Sequence, residues 1–148
     1  PSAQPENRSI TRPMPSPLSL HLAVTWALAG LIHTIQWVHY PLFKYANTET
    51  FAAFHDQHSR RITWLVAPLM LAELTTAAWL FHQGNRSTPF LVSLPLLALI
   101  WISTGLIQVP IHERLAKGRD ETALRRLVTT NHIRTLAWTA RGILLLTL

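Results

Sequence analysis

Residues 31–58 read LIHTIQWVHYPLFKYANTETFAAFHDQH, and this stretch decides how the chain folds. It joins the end of one long apolar segment to the start of the next, and it holds four of the chain's eight histidines. Polar rings beside such apolar segments are costly to bury unless they bind or relay something. The four histidines are His33, His39, His55 and His58.

The rest of the chain repeats the apolar pattern. Only 14% of the 148 residues are charged, against roughly 25% in a soluble domain. Four segments are almost free of charge, and each approaches the roughly 20 residues that a helix needs to cross a bilayer. Helices satisfy their own backbone groups in lipid, so a helical membrane protein is expected. The segments are residues 18–43, 62–81, 89–111 and 127–148.

We predict an all-α fold, an antiparallel bundle of four transmembrane helices over residues 18–43, 50–82, 89–117 and 121–148. Residues 1–17 form a polar leader with five prolines, expected to be extended or disordered because it buries too little apolar area. Two arginines before an apolar run, with Ala27-Leu28-Ala29 beyond, also mimic a cleavable signal peptide. The apolar run continues past Ala29, which favours a retained span.

Charge and cysteine content narrow the function classes. The net charge of +6 lies mostly in loops and indicates topology and contact with anionic lipid rather than nucleic-acid binding, since no nucleic-acid motif accompanies it. The absence of cysteine excludes disulfides, thiolate metal sites and cysteine nucleophiles. Eight basic residues flank two of the connections and three flank the other side. This asymmetry predicts a bacterial inner-membrane protein with both termini outside the cytoplasm. The eight are Lys44, Arg60, Arg61, Arg114, Lys117, Arg119, Arg125 and Arg126.

Each predicted helix turns polar residues to one face. In an antiparallel bundle the faces meet in a shared interior that opens toward the cytoplasm. An acid at mid-membrane usually pairs with something and marks a functional path, so Glu73 should bond to His33, to an arginine of the fourth helix, or to water. The candidate catalytic residues are His33, Glu73 and Arg134. The candidate cofactor-binding residues are Gln36, Tyr40, Gln108 and Asn131.

Some of these residues also have a purely structural interpretation. Polar side chains join membrane helices, at about 0.6 kcal/mol for each hydrogen bond, and Gln36, Gln108 and Asn131 could do only that. His21 is expected at the membrane interface, and Arg141 could extend outward to water.

A metal site is predicted at the cytoplasmic mouth. His55 and His58 project to one side of the second helix, and His112 approaches from the third. Neutral imidazole suits copper, zinc, iron or haem iron, so haem or a transition metal is the candidate cofactor. These histidines should converge with Arg134, and Gln36, Tyr40 and Gln108 should lie beneath them. The paired Glu-x-x-His pattern of di-iron bundles is absent from the sequence.

The last two helices resemble known membrane proteins. They contain Pro110-Ile111-His112-Glu113-Arg114-Leu115, and later Asn131-His132-Ile133-Arg134-Thr135 with Trp138. These motifs resemble small four-helix bacterial membrane proteins of unknown function, and are similar to the anthrone-oxygenase-like membrane family. His112 stands where that family has an asparagine. The resemblance implies cofactor-independent or poorly defined oxidation of a hydrophobic aromatic substrate.

Two function classes stay open on the sequence. In the first, a His-rich pocket near the cytoplasmic side binds a hydrophobic or redox-active ligand, such as a quinone, an aromatic molecule or haem, and oxidoreductase activity is one candidate. In the second, the chain is a non-catalytic accessory subunit of a larger respiratory or photosynthetic complex. A closed pocket lined by His33, Glu73 and Arg134 would favour the enzyme, and a leader ordered against another chain would favour the subunit.

Overall fold

The computed structural model describes residues 16–148, and every regular element in that part of the chain is helical. The all-α prediction is therefore confirmed for these residues, and the predicted leader, up to residue 15, lies outside them. Four helices follow one another along the chain: α1 Pro17–Tyr45, α2 Phe51–His82, α3 Thr88–Leu115 and α4 Glu121–Leu145.

Local sequence features explain where helices begin and end. The Ser16 side chain accepts a hydrogen bond from the backbone N–H of Ser19, and Asp120 does the same for Ala123 at the start of α4. Such caps satisfy N–H groups that have no partner inside the helix. Beyond the ends of α2 and α3, Gly84 and Gly118 have φ of 87° and 147°, a conformation that glycine adopts without steric cost.

Two helices widen locally into a π-helical turn, over Ile35–His39 in α1 and Thr104–Gln108 in α3. At each turn a backbone N–H bonds to the carbonyl five residues earlier, at Tyr40 in α1 and at Val109 in α3. The next residue in both helices is a proline, which has no N–H to continue the ordinary pattern. The wide turns therefore change which side chains before and after them share a face.

Three helices, α1, α2 and α3, are long and apolar enough to cross a membrane, whereas α4 is not among these candidates. The sequence of α4 explains the difference, because it carries four arginines and an asparagine within one helix. Three of these polar residues, Asn131, Arg134 and Arg141, are buried inside the bundle. Large apolar side chains elsewhere point outward, such as Trp64 at 82% and Leu106 at 75% exposed, as expected of a lipid-facing surface.

The helices pack unevenly. α4 packs along α3 and α1, and α1 packs along α2, whereas α2 and α3 touch only near the Val109–Leu115 end of α3. Both loops at that end are tied together, since Arg119 donates hydrogen bonds to the carbonyls of Lys44 and Ala46. The weak α2–α3 contact leaves room between these two helices, and this space positions the candidate site.

Candidate functional site

Two groups of buried polar side chains each contain an arginine of α4, and these two arginines lie about two turns apart. We call the first the ion-pair network: His21, Thr25, Glu73, Thr76, Ser93, Trp138 and Arg141. The second belongs to a hollow between α2 and α3 that we call the groove. Its polar wall consists of Tyr40, Gln108, His112 and Arg134.

Glu73 is the centre of the ion-pair network and is fully buried. Its Oε1 accepts hydrogen bonds from Thr25 Oγ1 at 2.9 Å and Arg141 Nε at 3.0 Å. Its Oε2 accepts the indole N–H of Trp138 at 3.0 Å. The prediction that Glu73 needs a hydrogen-bond partner is confirmed, and the arginine of the fourth helix that fills this role is Arg141.

Arg141 closes the network. One guanidinium nitrogen donates to the Ser93 carbonyl and hydroxyl at 2.7 and 3.0 Å, and the other donates to His21 Nε2 at 2.8 Å. A guanidinium has only donors, so the ring proton of His21 lies on Nδ1, which donates to Thr76 Oγ1 at 2.7 Å. The network ties all four helices together and leaves no group free for a ligand.

One sequence prediction about this network is wrong, because His21 is predicted at the membrane interface and its side chain is fully buried. For Arg141 the sequence leaves two alternatives, extension outward or pairing with Glu73, and the structure shows the buried pair. The hydrogen bonds of Arg141 to His21 and Glu73 offset part of the cost of burying these groups. A spacing in the sequence could have indicated this, since His21 and Thr25 are four residues apart and therefore share a helix face.

His33 belongs to neither group. Its ring is exposed, its Nδ1 accepts the indole N–H of Trp37 at 3.3 Å, and its Nε2 lies 2.9 Å from Thr139 Oγ1. The structure therefore does not bring together the predicted catalytic residues His33, Glu73 and Arg134. His33 precedes the wide turn of α1, whereas Tyr40, which follows it, faces the groove.

The groove begins as a cavity of about 180 Å³ between α2 and α3. A second hollow of about 280 Å³ shares four lining residues with it, Ile62, Thr63, Val109 and His112, and extends to Asp56 and Glu113. This second hollow lies beside the cavity, toward the end of the bundle that carries the basic loops. Apart from its polar wall, the cavity is mainly apolar, with Ile35, Ile62, Val66, Ala67 and Met70.

Three side chains form a hydrogen-bonded chain along the groove. Tyr40 Oη lies 3.2 Å from His112 Nε2, and His112 Nδ1 lies 3.0 Å from His55 Nε2. The other ring nitrogen of His55 is buried without a partner. A neutral imidazole has one donor and one acceptor, so each histidine can accept one hydrogen bond and donate another in this chain, which begins at the groove wall.

Two groups on the groove wall have unused hydrogen-bonding capacity. Arg134 is only 5% exposed, and its Nε has no hydrogen-bond partner. Its guanidinium lies 5.5 Å from the centre of the Trp138 ring, and no ion pair to it occurs within residues 16–148. Gln108 donates through Nε2 to Thr130 Oγ1 at 3.0 Å, whereas its Oε1 is buried without a partner.

The other two predicted cofactor-binding residues are used within the protein. Asn131 Nδ2 donates to Gln36 Oε1 at 2.9 Å, and Gln36 Nε2 donates to the Val128 carbonyl at 3.2 Å. Gln36 and Asn131 therefore join α1 to α4, as polar residues often do between membrane helices. Tyr40 and Gln108 line the groove as expected.

The predicted metal ligands are only partly together. His55 and His112 use their facing nitrogens on each other. His58 instead packs against the rings of His39 and Phe43, at 5.7 and 4.8 Å between ring centres. Across residues 16–148, no group of three or more histidine, aspartate or glutamate side chains is arranged to hold a metal ion.

No protein-family model, curated protein sequence or solved structure matches this chain. The resemblance to four-helix bacterial proteins and to the anthrone-oxygenase-like family therefore stays a prediction from short motifs.

Proposed function

We propose that this chain is an integral membrane protein that binds a small aromatic molecule in the groove, of the size of a quinone head group. The observation that carries the proposal is the combination of an apolar cavity and unpartnered polar groups on its wall. Ligand sites are typically apolar with a few convergent polar groups that fix orientation. Arg134, Gln108, Tyr40 and His112 supply those groups here.

The cavity volume defines the ligand's size. At about 180 Å³, the cavity slightly exceeds the roughly 150 Å³ engineered cavity of another protein that binds benzene. It is smaller than the roughly 300–1,000 Å³ of sites for drug-sized molecules. A single substituted ring is therefore the expected occupant, and a longer tail would extend through the opening between α2 and α3.

The membrane arrangement belongs to the same proposal. We infer an antiparallel bundle in which α4 crosses with the other three helices, because its arginines are buried between them. Contacts support this: His21 near the start of α1 bonds to Thr76 near the end of α2, and Tyr40 near the end of α1 bonds to His112 near the end of α3. The basic loops would face the cytoplasm of a bacterial inner membrane and contact anionic lipid.

Binding can be tested with neutral single-ring probes. Purified protein in detergent micelles would be titrated with 4-methylphenol and tetramethylbenzoquinone and followed by ligand-observed NMR. The Ala67→Phe substitution fills the cavity, because Ala67 lines it. The matched control, Leu71→Phe, places the same ring at a position on α2 that is 54% exposed.

We expect saturable binding of both probes to the parent protein and to Leu71→Phe, and at least a tenfold weaker affinity in Ala67→Phe. Absence of saturable binding, or equal affinity in all three proteins, would reject the groove as the site. Gentle purification distinguishes an enzyme from an accessory subunit. Chains that co-purify at fixed stoichiometry would favour the accessory-subunit prediction. Turnover of a bound aromatic would favour the oxidoreductase prediction.

A further inference from the structure

The charge of Arg134 points to the ligand's charge. Arg141 and Arg134 lie on the same helix, and Arg141 is paired with Glu73. Arg134 is 5% exposed and has no carboxylate partner within residues 16–148. A buried charge without a partner is strongly unfavourable, so a neutral ligand in the cavity would leave this guanidinium uncompensated, whereas an anionic oxygen would pair with it.

The amide of Gln108 points to a second group on the ligand. The Thr130 hydroxyl donates to the Arg126 carbonyl at 2.7 Å, so it is an acceptor for Gln108, and the amide nitrogen must face it. The orientation of the amide is thereby fixed, and Oε1 is left as a buried acceptor without a partner. Only a donor can satisfy it, and a ligand hydroxyl would supply one.

Gln108 and Arg134 line the same cavity. Thr130, which holds Gln108, lies one turn of α4 before Arg134, and a turn rises about 5.4 Å. A single aromatic ring with substituents at opposite ends spans a comparable distance. Resting on the proposed binding function, we infer that the groove's ligand is an aromatic monoanion that also carries a hydroxyl group. Arg134 would pair with the anionic oxygen and Gln108 Oε1 would accept the hydroxyl proton.

Three probes that differ by one group each test the inference. They are 4-hydroxybenzoate, benzoate without the hydroxyl, and 4-hydroxybenzamide without the charge. Affinity would be measured at pH 7 by calorimetry, with the full chain in uncharged detergent. The variants are Arg134→Met, Gln108→Leu and, as a matched control, Arg126→Met, which removes an exposed arginine of α4.

We expect the parent protein and Arg126→Met to bind 4-hydroxybenzoate at least tenfold more tightly than either of the other probes. Arg134→Met should lose the preference over 4-hydroxybenzamide but keep the preference over benzoate. Gln108→Leu should show the opposite pattern, because it removes only the acceptor for the hydroxyl. If a variant does not fold, the three affinities of the parent protein decide the inference.

The outcomes separate this inference from the binding proposal. If 4-hydroxybenzamide binds the parent protein as tightly as 4-hydroxybenzoate, the inferred charge is wrong. If benzoate does so, the inferred hydroxyl is wrong. In both cases the groove remains an aromatic site as long as neutral 4-methylphenol binds. If none of these probes binds, the proposed function fails as well.

Discussion

Arg134 and Arg141 are seven residues apart on α4, yet their surroundings differ completely. Arg141 is paired with Glu73, whereas Arg134 faces the groove without an acid. The sequence shows that Glu73 needs a partner, because an acid in an apolar segment cannot be left unpaired. The sequence does not show which arginine pairs with Glu73, because residues seven apart share a helix face. The choice depends on how far α2 is shifted along its axis relative to α4.

The pairing of Glu73 with Arg141 predicts unequal effects of single and double substitutions. Arg141→Met leaves the Glu73 carboxylate buried and unpaired, and removing one partner of a buried pair costs about 3–5 kcal/mol. Glu73→Met combined with Arg141→Met removes both charges and should cost less than the single change. Unfolding in mixed micelles with increasing dodecyl sulfate measures both.

Arg126→Met is the control for this comparison, because it removes an exposed arginine from the same helix and should leave stability nearly unchanged. An Arg141→Met protein as stable as the parent protein would contradict the network. A Glu73→Met/Arg141→Met protein less stable than Arg141→Met would also contradict it.

Helices are the level at which the sequence is most informative. Long uncharged runs predict four of them, and four are present in residues 16–148. The wide turns of α1 and α3 could not be predicted from the sequence. Only a regular spacing of polar residues would reveal a one-residue shift of the helix face, and these apolar segments have no such spacing. Pro41 and Pro110 indicate an irregularity, but the same residues are compatible with a kink. The prediction that His33 faces the interior with Tyr40 assumes an ordinary turn between them, and the wide turn Ile35–His39 makes it wrong.

Deleting Leu106 should show what the wide turn of α3 does. This residue lies inside the turn Thr104–Gln108 and is 75% exposed, so its loss removes little packing. A π-helical turn holds one residue more than an ordinary turn, so the deletion restores an ordinary turn and keeps the two halves of α3 in the same relative orientation, with His112 still facing His55. We expect unchanged helicity by circular dichroism and unchanged probe binding.

Cross-linking measures that orientation directly, because the chain has no cysteine of its own. His55→Cys with His112→Cys should react with a short bifunctional thiol reagent in the otherwise unchanged protein and also after the deletion. Leu106→Ala is the control and should cross-link normally. Loss of cross-linking after the deletion would show that the wide turn holds more than one extra residue of register.

The cap of α4 gives a prediction for acid conditions. The backbone N–H of Ala123 holds the pKa of Asp120 below its ordinary value, and the Arg114 guanidinium adds to this effect. A lowered folded-state pKa means that the carboxylate stabilises the fold above its unfolded pKa of about 3.9. This contribution is lost as the pH falls through the lower folded pKa.

Asp120→Ala should therefore lower Tm at pH 7, and the difference from the parent protein should shrink below about pH 3.9. Asp120→Asn retains a capping oxygen and should show a smaller change in Tm. Thermal unfolding in micelles from pH 2.5 to 7 gives all three curves. A difference in Tm that stays constant over that range would mean that the charge of Asp120 contributes nothing to the cap.

The order in which helices surround one another is not determined by any single helix. Each of the four has an apolar surface, so the sequence does not reveal that α2 and α3 touch only near one end. The groove between them depends on that order, and it was therefore predicted only as a shared polar interior. The distribution of basic residues, unlike the order of the helices, can be predicted from the sequence, because the basic residues of each loop are counted directly.

The basic loops predict which end of the bundle faces the cytoplasm. Arg119 bonds to the carbonyls of Lys44 and Ala46, so both basic loops lie at one end, and the Arg86 loop joins the opposite ends of α2 and α3. In a chain without native cysteine, Arg86→Cys should react with a membrane-impermeant maleimide in cells whose outer membrane alone is permeabilised. Lys44→Cys and Lys117→Cys should react only after the inner membrane is opened, because positively charged loops are retained in the cytoplasm. A reporter fused after Leu148 and active only in the cytoplasm, or the reverse labelling order, would overturn this orientation and place the open end of the groove outside the cell's interior.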